Sequence, residues 1–158
     1  LKEMTVTVEE WSYVAIRGNS AVDAILNEKL IAAQKQQINT SFDVCDLHST
    51  KVQPMDLCIA LSNALDNAIE ACEKIPDQTG RYLRLRIQQE ENSLVLSVAT
   101  PVVAPPRKFG SLYRTEKADR ERHGFGLRSI STTLKKYHGE LITRCEAQVF
   151  TIVIKFNF

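Results

Sequence analysis

Two asparagines, Asn63 and Asn67, stand four residues apart in a run of mostly apolar side chains. At 3.6 residues per turn this spacing places both amides on one flank of a helix, and Glu70 follows on the same flank. Mg²⁺ prefers hard oxygen ligands and usually shares them among protein, water and phosphate groups, so this flank suits a magnesium–nucleotide site. The alternative is that the two amides only solvate an exposed helix flank.

A second candidate site is the glycine pair Gly124 and Gly126, which lies between a charged segment and a helix-forming run. Glycine adopts backbone conformations that other residues avoid and lets the chain approach an anion closely. Unpaired N–H groups at the start of a helix, together with the positive end of its dipole, favour phosphate. The order of charged segment, glycines and helix therefore predicts a phosphate-binding element. The alternative is that the glycine pair only ends a loop before the helix and binds no phosphate.

Together these segments resemble the ATP-binding catalytic domain of bacterial sensor histidine kinases, within the GHKL superfamily that also contains gyrase. Residues 63–72 are similar to the N box of that domain, and residues 123–127 are similar to its second glycine box. The resemblance covers roughly residues 17–157. It implies that this region binds Mg-ATP between its helices and a long lid.

The nearest similarity is to receptor kinases of peptide quorum sensing. Residues 65–71 read Leu-Asp-Asn-Ala-Ile-Glu-Ala, and residues 123–130 read His-Gly-Phe-Gly-Leu-Arg-Ser-Ile, as in that branch. Residues 18–30 are similar to its opening helix. The resemblance thus extends beyond the two short motifs.

The resemblance assigns roles residue by residue. Asn67 is the expected magnesium ligand, and Asn63 is the expected second polar contact in catalysis. Glu70 stands where many histidine kinases have a phosphate-facing lysine, so it is expected either to hold a magnesium-bound water or to remain solvated. Lys117 is either a phosphate contact or an ordinary lid lysine, and His123 either touches a phosphate or caps the next helix. The expected nucleotide contacts are Asn63, Asn67, Glu70, Thr100, Lys117, His123, Gly124, Phe125, Gly126 and Leu127.

Two departures from the superfamily pattern bear on this assignment. Most members carry an Asp-x-Gly-x-Gly box whose aspartate accepts the adenine amino group, but residues 94–102 hold Thr100 followed by Pro101 instead. The Thr100 hydroxyl is expected either to reach the base through a water or simply to favour the strand. ATP-hydrolysing relatives have a glutamate where this chain has Asn63. The resemblance therefore implies transfer to a protein nucleophile rather than hydrolysis.

Composition limits the remaining classes of protein. The 158 residues, 44% hydrophobic and 25% charged, predict one globular domain with a full core. A net charge of +1 gives no long-range attraction to nucleic acid or to an anionic membrane, and no apolar run is long enough to span one. The four scattered cysteines favour a reduced cytoplasmic compartment, with Cys58 and Cys72 as packing residues.

Periodicity and turn signals predict an α/β (α+β) two-layer sandwich, a mixed, mostly antiparallel sheet covered on one face by helices. The resemblance implies the same architecture, the Bergerat-type ATP-binding fold. The predicted helices run from Asn19 or Ser20 to about Gln37, from Pro54 to about Ile75, and from about Phe125 to Tyr137, where Gly139 caps the end. The predicted strands are 40–45, 81–89, 93–98, 140–145 and 149–156.

The chain is expected to be cut from a longer protein, because it begins at Leu1. Residues 1–16 form the expected lead-in from a dimerisation region, residues 17–158 the catalytic domain, and about 102–123 its ATP lid.

Under this interpretation the domain transfers the γ-phosphoryl of ATP to a histidine in the dimerisation domain of a membrane-anchored homodimer. A response regulator is the expected downstream partner. No residue here is expected to be the phospho-acceptor. The alternative from another class is a degenerate docking module, which the missing aspartate favours. A gyrase-type ATPase is disfavoured by Asn63.

Overall fold

The computed structural model describes the backbone of residues 4–6, 19–103, 107–109, 112–114 and 120–158, and the side chains of residues 19–103 and 126–158. The strands are β1 (Met4–Val6), β2 (Asn39–Val44), β3 (Tyr82–Gln89), β4 (Ser93–Pro101), β5 (Arg107–Phe109), β6 (Leu112–Arg114), β7 (Glu140–Glu146) and β8 (Val149–Asn157). The helices are α1 (Ser20–Lys35), α2 (Pro54–Glu73) and α3 (Arg120–Leu134), with short 3₁₀ helices at Gln78–Gly80 and Lys135–Tyr137.

Over these residues the strands form a six-stranded sheet in the order β1-β2-β3-β4-β8-β7, beside a separate β5–β6 hairpin. Strands β2 and β3 pair in parallel, with α2 in the connection between them, and the other pairs of the large sheet are antiparallel. This is the mixed two-layer sandwich that the sequence predicts. None of the helices within the described ranges is both long and apolar enough to cross a membrane.

The core lies between the helices and one face of the sheet. Along β4 every second side chain is buried, namely Leu94, Leu96 and Val98, because side chains of a strand alternate between its two faces. Helix α1 buries Val22, Leu26, Leu30 and Ala33 at helical spacing. Asn19 caps the N-terminus of α1, and its Oδ1 accepts hydrogen bonds from the backbone N–H groups of Ala21 and Val22, both at 3.1 Å. Asn19 is therefore the cap that the sequence predicts.

Helix α2 begins at Pro54, which suits the first turn because proline has no N–H to leave unpaired. It ends at Glu73, and the Arg81 guanidinium then donates to the carbonyl of Ile75 at 2.8 Å and to that of Glu73 at 3.3 Å. The same guanidinium donates to the carbonyl of Gln36 at 2.7 Å, just after α1. One side chain thus caps the ends of two helices.

Helix α3 starts at Arg120, about five residues before the predicted start at Phe125. Gly124 and Gly126 are therefore inside the helix rather than ahead of it. A glycine costs a helix about 1 kcal/mol relative to alanine, so propensity alone predicts a helix start that is too late in the sequence. Packing of α3 against α2 overrides this cost.

The segment expected to be the ATP lid, about 102–123, contains the β5–β6 hairpin, in which Phe109 pairs with Leu112. The sequence signal for it is Gly110-Ser111, a two-residue glycine connection between two short β-forming triplets.

The end of α3 also differs in detail from the expected glycine cap. His138 takes the left-handed conformation, with φ 48°, and the N–H of Gly139 bonds to the carbonyl of Leu134 at 3.0 Å. Gly139 is required for another reason, since a Cβ there would stand 2.3 Å from the carbonyl oxygen of Lys155.

Candidate functional site

Helices α2 and α3 pack antiparallel, and two contacts fix their alignment. At one end, Asp56 near the start of α2 receives hydrogen bonds from Lys136, at 3.0 Å, and from the Tyr137 hydroxyl. Further along, Asn63 of α2 lies against Gly126 of α3. The two motifs that are separate in the sequence are therefore in contact at Asn63 and Gly126.

The Asn63 amide has a defined orientation in this contact. Its Nδ2 donates to the carbonyl of Ile59 at 2.8 Å, one turn earlier in α2. Its Oδ1 faces Gly126, where an added Cβ would stand 3.3 Å away. The backbone of Gly126 is not left-handed, so glycine is needed here for close approach and not for an unusual φ.

Asn67 lies one turn beyond Asn63 on the same half-buried flank of α2. Its amide has no hydrogen-bond partner among the residues that the structure describes. An available amide oxygen fits Mg²⁺, which takes few ligands from the protein and the rest from water and phosphate. Among the described side chains, no group of three or more His, Cys, Asp and Glu is placed to hold a metal ion.

An ion pair between a buried lysine and a half-exposed aspartate adjoins this flank. Lys29 of α1 is 8% exposed, and its Nζ lies 2.6 Å from Oδ1 of Asp66, the residue before Asn67. Glu28 is a more distant partner of Lys29, at 3.8 Å. Sequence reasoning missed this pair, although Lys29 on the apolar face of α1 was a signal that a carboxylate would meet it.

Thr100 is 2% exposed and points to the helix-covered face of the sheet, in line with Leu96 and Val98. Its Oγ1 is fully buried and has no hydrogen-bond partner in the described part of the chain. Burying a hydroxyl without a partner costs about 1–3 kcal/mol. A ligand that bonds to Oγ1 recovers this free energy.

Two contacts locate Thr100 relative to α2. At one end of the sheet, the Tyr137 ring packs edge-on against Phe156, with centroids 5.1 Å apart, and Phe156 pairs with Leu94. That end lies beneath the start of α2, because Tyr137 also bonds Asp56.

At the other end, Cys72 Sγ donates to the carbonyl of Tyr82 at 3.3 Å, so the last turn of α2 lies over the start of β3. Arg84 of β3 pairs with Ala99 of β4, and Thr100 is the next residue of β4. Thr100 therefore lies beneath the C-terminal half of α2, which also carries Asn67.

The remaining predicted residues are distributed as follows. Glu70 is half-buried on the α2 flank, one turn beyond Asp66. The Leu127 side chain, 3% exposed, packs in the core and not on the flank. For His123, Gly124 and Phe125 the structure gives a helical backbone, and Lys117 falls outside the described residues.

The early start of α3 changes which of its backbone N–H groups lack intrahelical partners. Only the first four N–H groups of a helix lack intrahelical partners, and in α3 these belong to residues 120–123. The amides from Gly124 onward are inside the helix. Amides available to a phosphate at this helix start thus lie before the glycine pair, with His123 the last of them.

Residues 52–157 match the family model of the GHKL domain. No curated protein matches the sequence.

Several solved structures have the same fold. The nucleotide-free catalytic domain of histidine kinase ThkA is similar with a TM-score of 0.67 and 16% identity, covering 92% of this chain and 97% of that one. Full-length ShkA in complex with AMPPNP is similar with a TM-score of 0.63 and 18% identity, covering 95% of this chain and 32% of that one. Acinetobacter baumannii AdeS is similar with a TM-score of 0.57 and 14% identity, covering 87% of this chain and 63% of that one.

At these identities the structural likeness shows the fold alone, which is that of histidine kinase catalytic domains. The family match extends from just before α2 to the end of β8 and so covers most of the chain. The chain therefore belongs to the GHKL domain family.

Proposed function

We propose that this domain binds Mg-ATP and transfers the γ-phosphoryl group to a histidine of a separate dimerisation domain, as the catalytic domain of a sensor histidine kinase. The observation that carries the proposal is the contact between Asn63 and Gly126, which joins the asparagine pair to the glycine segment. A fold of this kind without nucleotide chemistry would not need both motifs in one place. The family membership and the fold agree with this proposal.

Phosphoryl transfer depends mainly on positioning and charge neutralisation, and different residues have these roles. Asn67 would hold Mg²⁺, which when bound neutralises phosphate charge. Asn63 cannot act as a carboxylate base toward water, so hydrolysis is not favoured and the phosphoryl group remains available for the histidine. Lys117 and His123 are the proposed phosphate contacts, together with the first amides of α3.

The finer assignment is to the receptor kinases of peptide quorum sensing. It rests on the sequence at 65–71 and 123–130. The whole protein is then a membrane-anchored homodimer with this domain in the cytoplasm, and its product passes to a response regulator.

Calorimetric titration with Mg-ATP tests the binding step. We expect a dissociation constant in the high-micromolar range, about −5 kcal/mol, because the usual adenine aspartate is absent. Asn67→Ala should abolish the magnesium-dependent part of this binding and leave thermal unfolding unchanged, since a half-buried flank residue leaves no cavity. Asn92→Ala, at an exposed site between β3 and β4, is the matched control and should bind as the wild type does.

Transfer is measured by supplying the dimerisation domain of a quorum-sensing kinase together with radiolabelled ATP. Label on the acceptor histidine, and none on the domain itself, is the expected result. The absence of any binding at millimolar Mg-ATP would instead favour a docking module.

A further inference from the structure

The end of the sheet beneath the C-terminal half of α2, the half that carries Asn67, holds the buried hydroxyl of Thr100. The core-facing residues in this row are Thr40, Leu83, Thr100, Phe150 and Cys145. None of them is acidic. Thr100 is 2% exposed, and its buried Oγ1 lacks a hydrogen-bond partner among the described residues, so its hydrogen-bonding capacity is unused there.

A hydroxyl and a carboxylate select different purines. An ionised carboxylate only accepts hydrogen bonds, so it accepts from the 6-amino group of adenine and is repelled by the 6-oxo group of guanine or hypoxanthine. A threonine hydroxyl both donates and accepts, and its hydrogen rotates to suit the ligand. It can therefore accept from a 6-amino group and donate to a 6-oxo group, directly or through one water.

We propose that Thr100 is the base-specificity residue of this site and that the domain accepts 6-oxo purine nucleotides as well as ATP. This proposal rests on the proposed nucleotide-binding function. The uncharged row favours this tolerance, because none of its five described residues carries a carboxylate that would oppose a 6-oxo group. The substrate class is thus purine nucleoside triphosphates that carry either a 6-amino or a 6-oxo group.

The test compares Mg-ATP with Mg-inosine triphosphate on the whole chain, because these two nucleotides differ only at the 6 position and its neighbouring nitrogen. By calorimetry we expect dissociation constants within about fivefold of each other, since each base makes one neutral hydrogen bond. Binding of inosine triphosphate more than about 30-fold weaker than ATP would overturn the proposal while leaving the proposed function intact. If neither nucleotide binds, both this proposal and the proposed nucleotide-binding function are overturned.

Substitutions at Thr100 then assign the effect to its hydroxyl. Thr100→Asp should weaken inosine triphosphate relative to ATP by about 100-fold, because the carboxylate opposes the 6-oxo group. Thr100→Asn, of the same size but with both a donor and an acceptor, should retain the wild-type ratio. An unchanged ratio in Thr100→Asp would contradict the proposal.

Thr100→Val provides a control that keeps the shape of the side chain, in case the charged variant does not fold. It should weaken both nucleotides equally, by about tenfold, through the loss of one hydrogen bond. Unchanged affinity for both nucleotides in this variant would place the base elsewhere.

Discussion

Gly126 lies so close to Asn63 that a methyl group on it would stand 3.3 Å from the Asn63 amide oxygen. This contact holds α3 against α2 at the point where the asparagine pair and the glycine segment meet. It also gives Gly126 a packing role that does not depend on an unusual backbone conformation.

The contact predicts a coupled response to two substitutions. Gly126→Ala in the wild type should change the free energy of unfolding little or unfavourably, because the gain in helix propensity is offset by the close approach to Asn63. In an Asn63→Ala background the same change should stabilise the domain by about 1 kcal/mol, since the opposing oxygen is gone. Urea unfolding of the four proteins measures the coupling, expected at about 0.5–1 kcal/mol. If the effects of the two substitutions on the free energy of unfolding are additive, α3 accommodates the added methyl group beside Asn63 without cost.

The pair of Lys29 and Asp66 predicts an asymmetric response. Lys29 is 8% exposed, whereas the Asp66 side chain is 48% exposed. Asp66→Asn leaves a nearly buried ammonium without its near partner and should cost about 2 kcal/mol, while Lys29→Met leaves a carboxylate that water can solvate and should cost about 1 kcal/mol or less. Denaturant unfolding tests the order of the two costs. A larger loss for Lys29→Met would show that the lysine stem, and not the charge pairing, stabilises α1 on α2.

Arg81 should contribute strongly to stability because it bonds carbonyls at the ends of both α1 and α2. We expect Arg81→Ala to lower the free energy of unfolding by about 2 kcal/mol, since charge-assisted bonds to three carbonyls at the two helix ends are lost. Arg81→Lys should recover less than half of this lost free energy of unfolding, because a single ammonium cannot span the two helix ends. The control is Arg84→Ala. The exposed Arg84 guanidinium lies 4.9 Å from the centre of the Tyr82 ring, so its removal should lower the free energy of unfolding by less than about 1 kcal/mol. Equal losses for the two alanine variants would rule out the double cap.

The pH dependence of stability should contain a contribution from Cys72. Burial raises the pKa of the Cys72 thiol from 9.0 to about 11. In the unfolded chain this thiol loses its proton near its ordinary pKa, whereas in the folded chain it keeps the proton, so its contribution is complete below pH 9 and is lost as the pH rises toward 11.

Over this pH interval the free energy of unfolding of the wild type should therefore fall by roughly 2 kcal/mol more than that of Cys72→Ala. At neutral pH the variant is the less stable of the two, because it contains a cavity. Chemical unfolding at a series of pH values checks the difference between the two slopes. Parallel curves would show that the folded thiol titrates near its ordinary pKa.

The local elements could be predicted from the sequence because their signals are local. Asn19 caps α1 through neighbouring N–H groups, Pro54 suits only a first turn, and the alternation along β4 decides which of its side chains are buried. The asparagine spacing likewise determined that both amides share one helix flank, whatever the fold around them.

Tertiary packing decided what these signals could not. Helix α3 extends through its glycine pair because Gly126 permits the close contact with Asn63, and sequence propensity contains no information about a distant helix. The pairing of Lys29 with Asp66 and the lack of a described partner for the Thr100 hydroxyl depend on which surfaces are buried together. Burial is a property of the assembled layers, so the electrostatic character of the site was determined only when the helices covered the sheet.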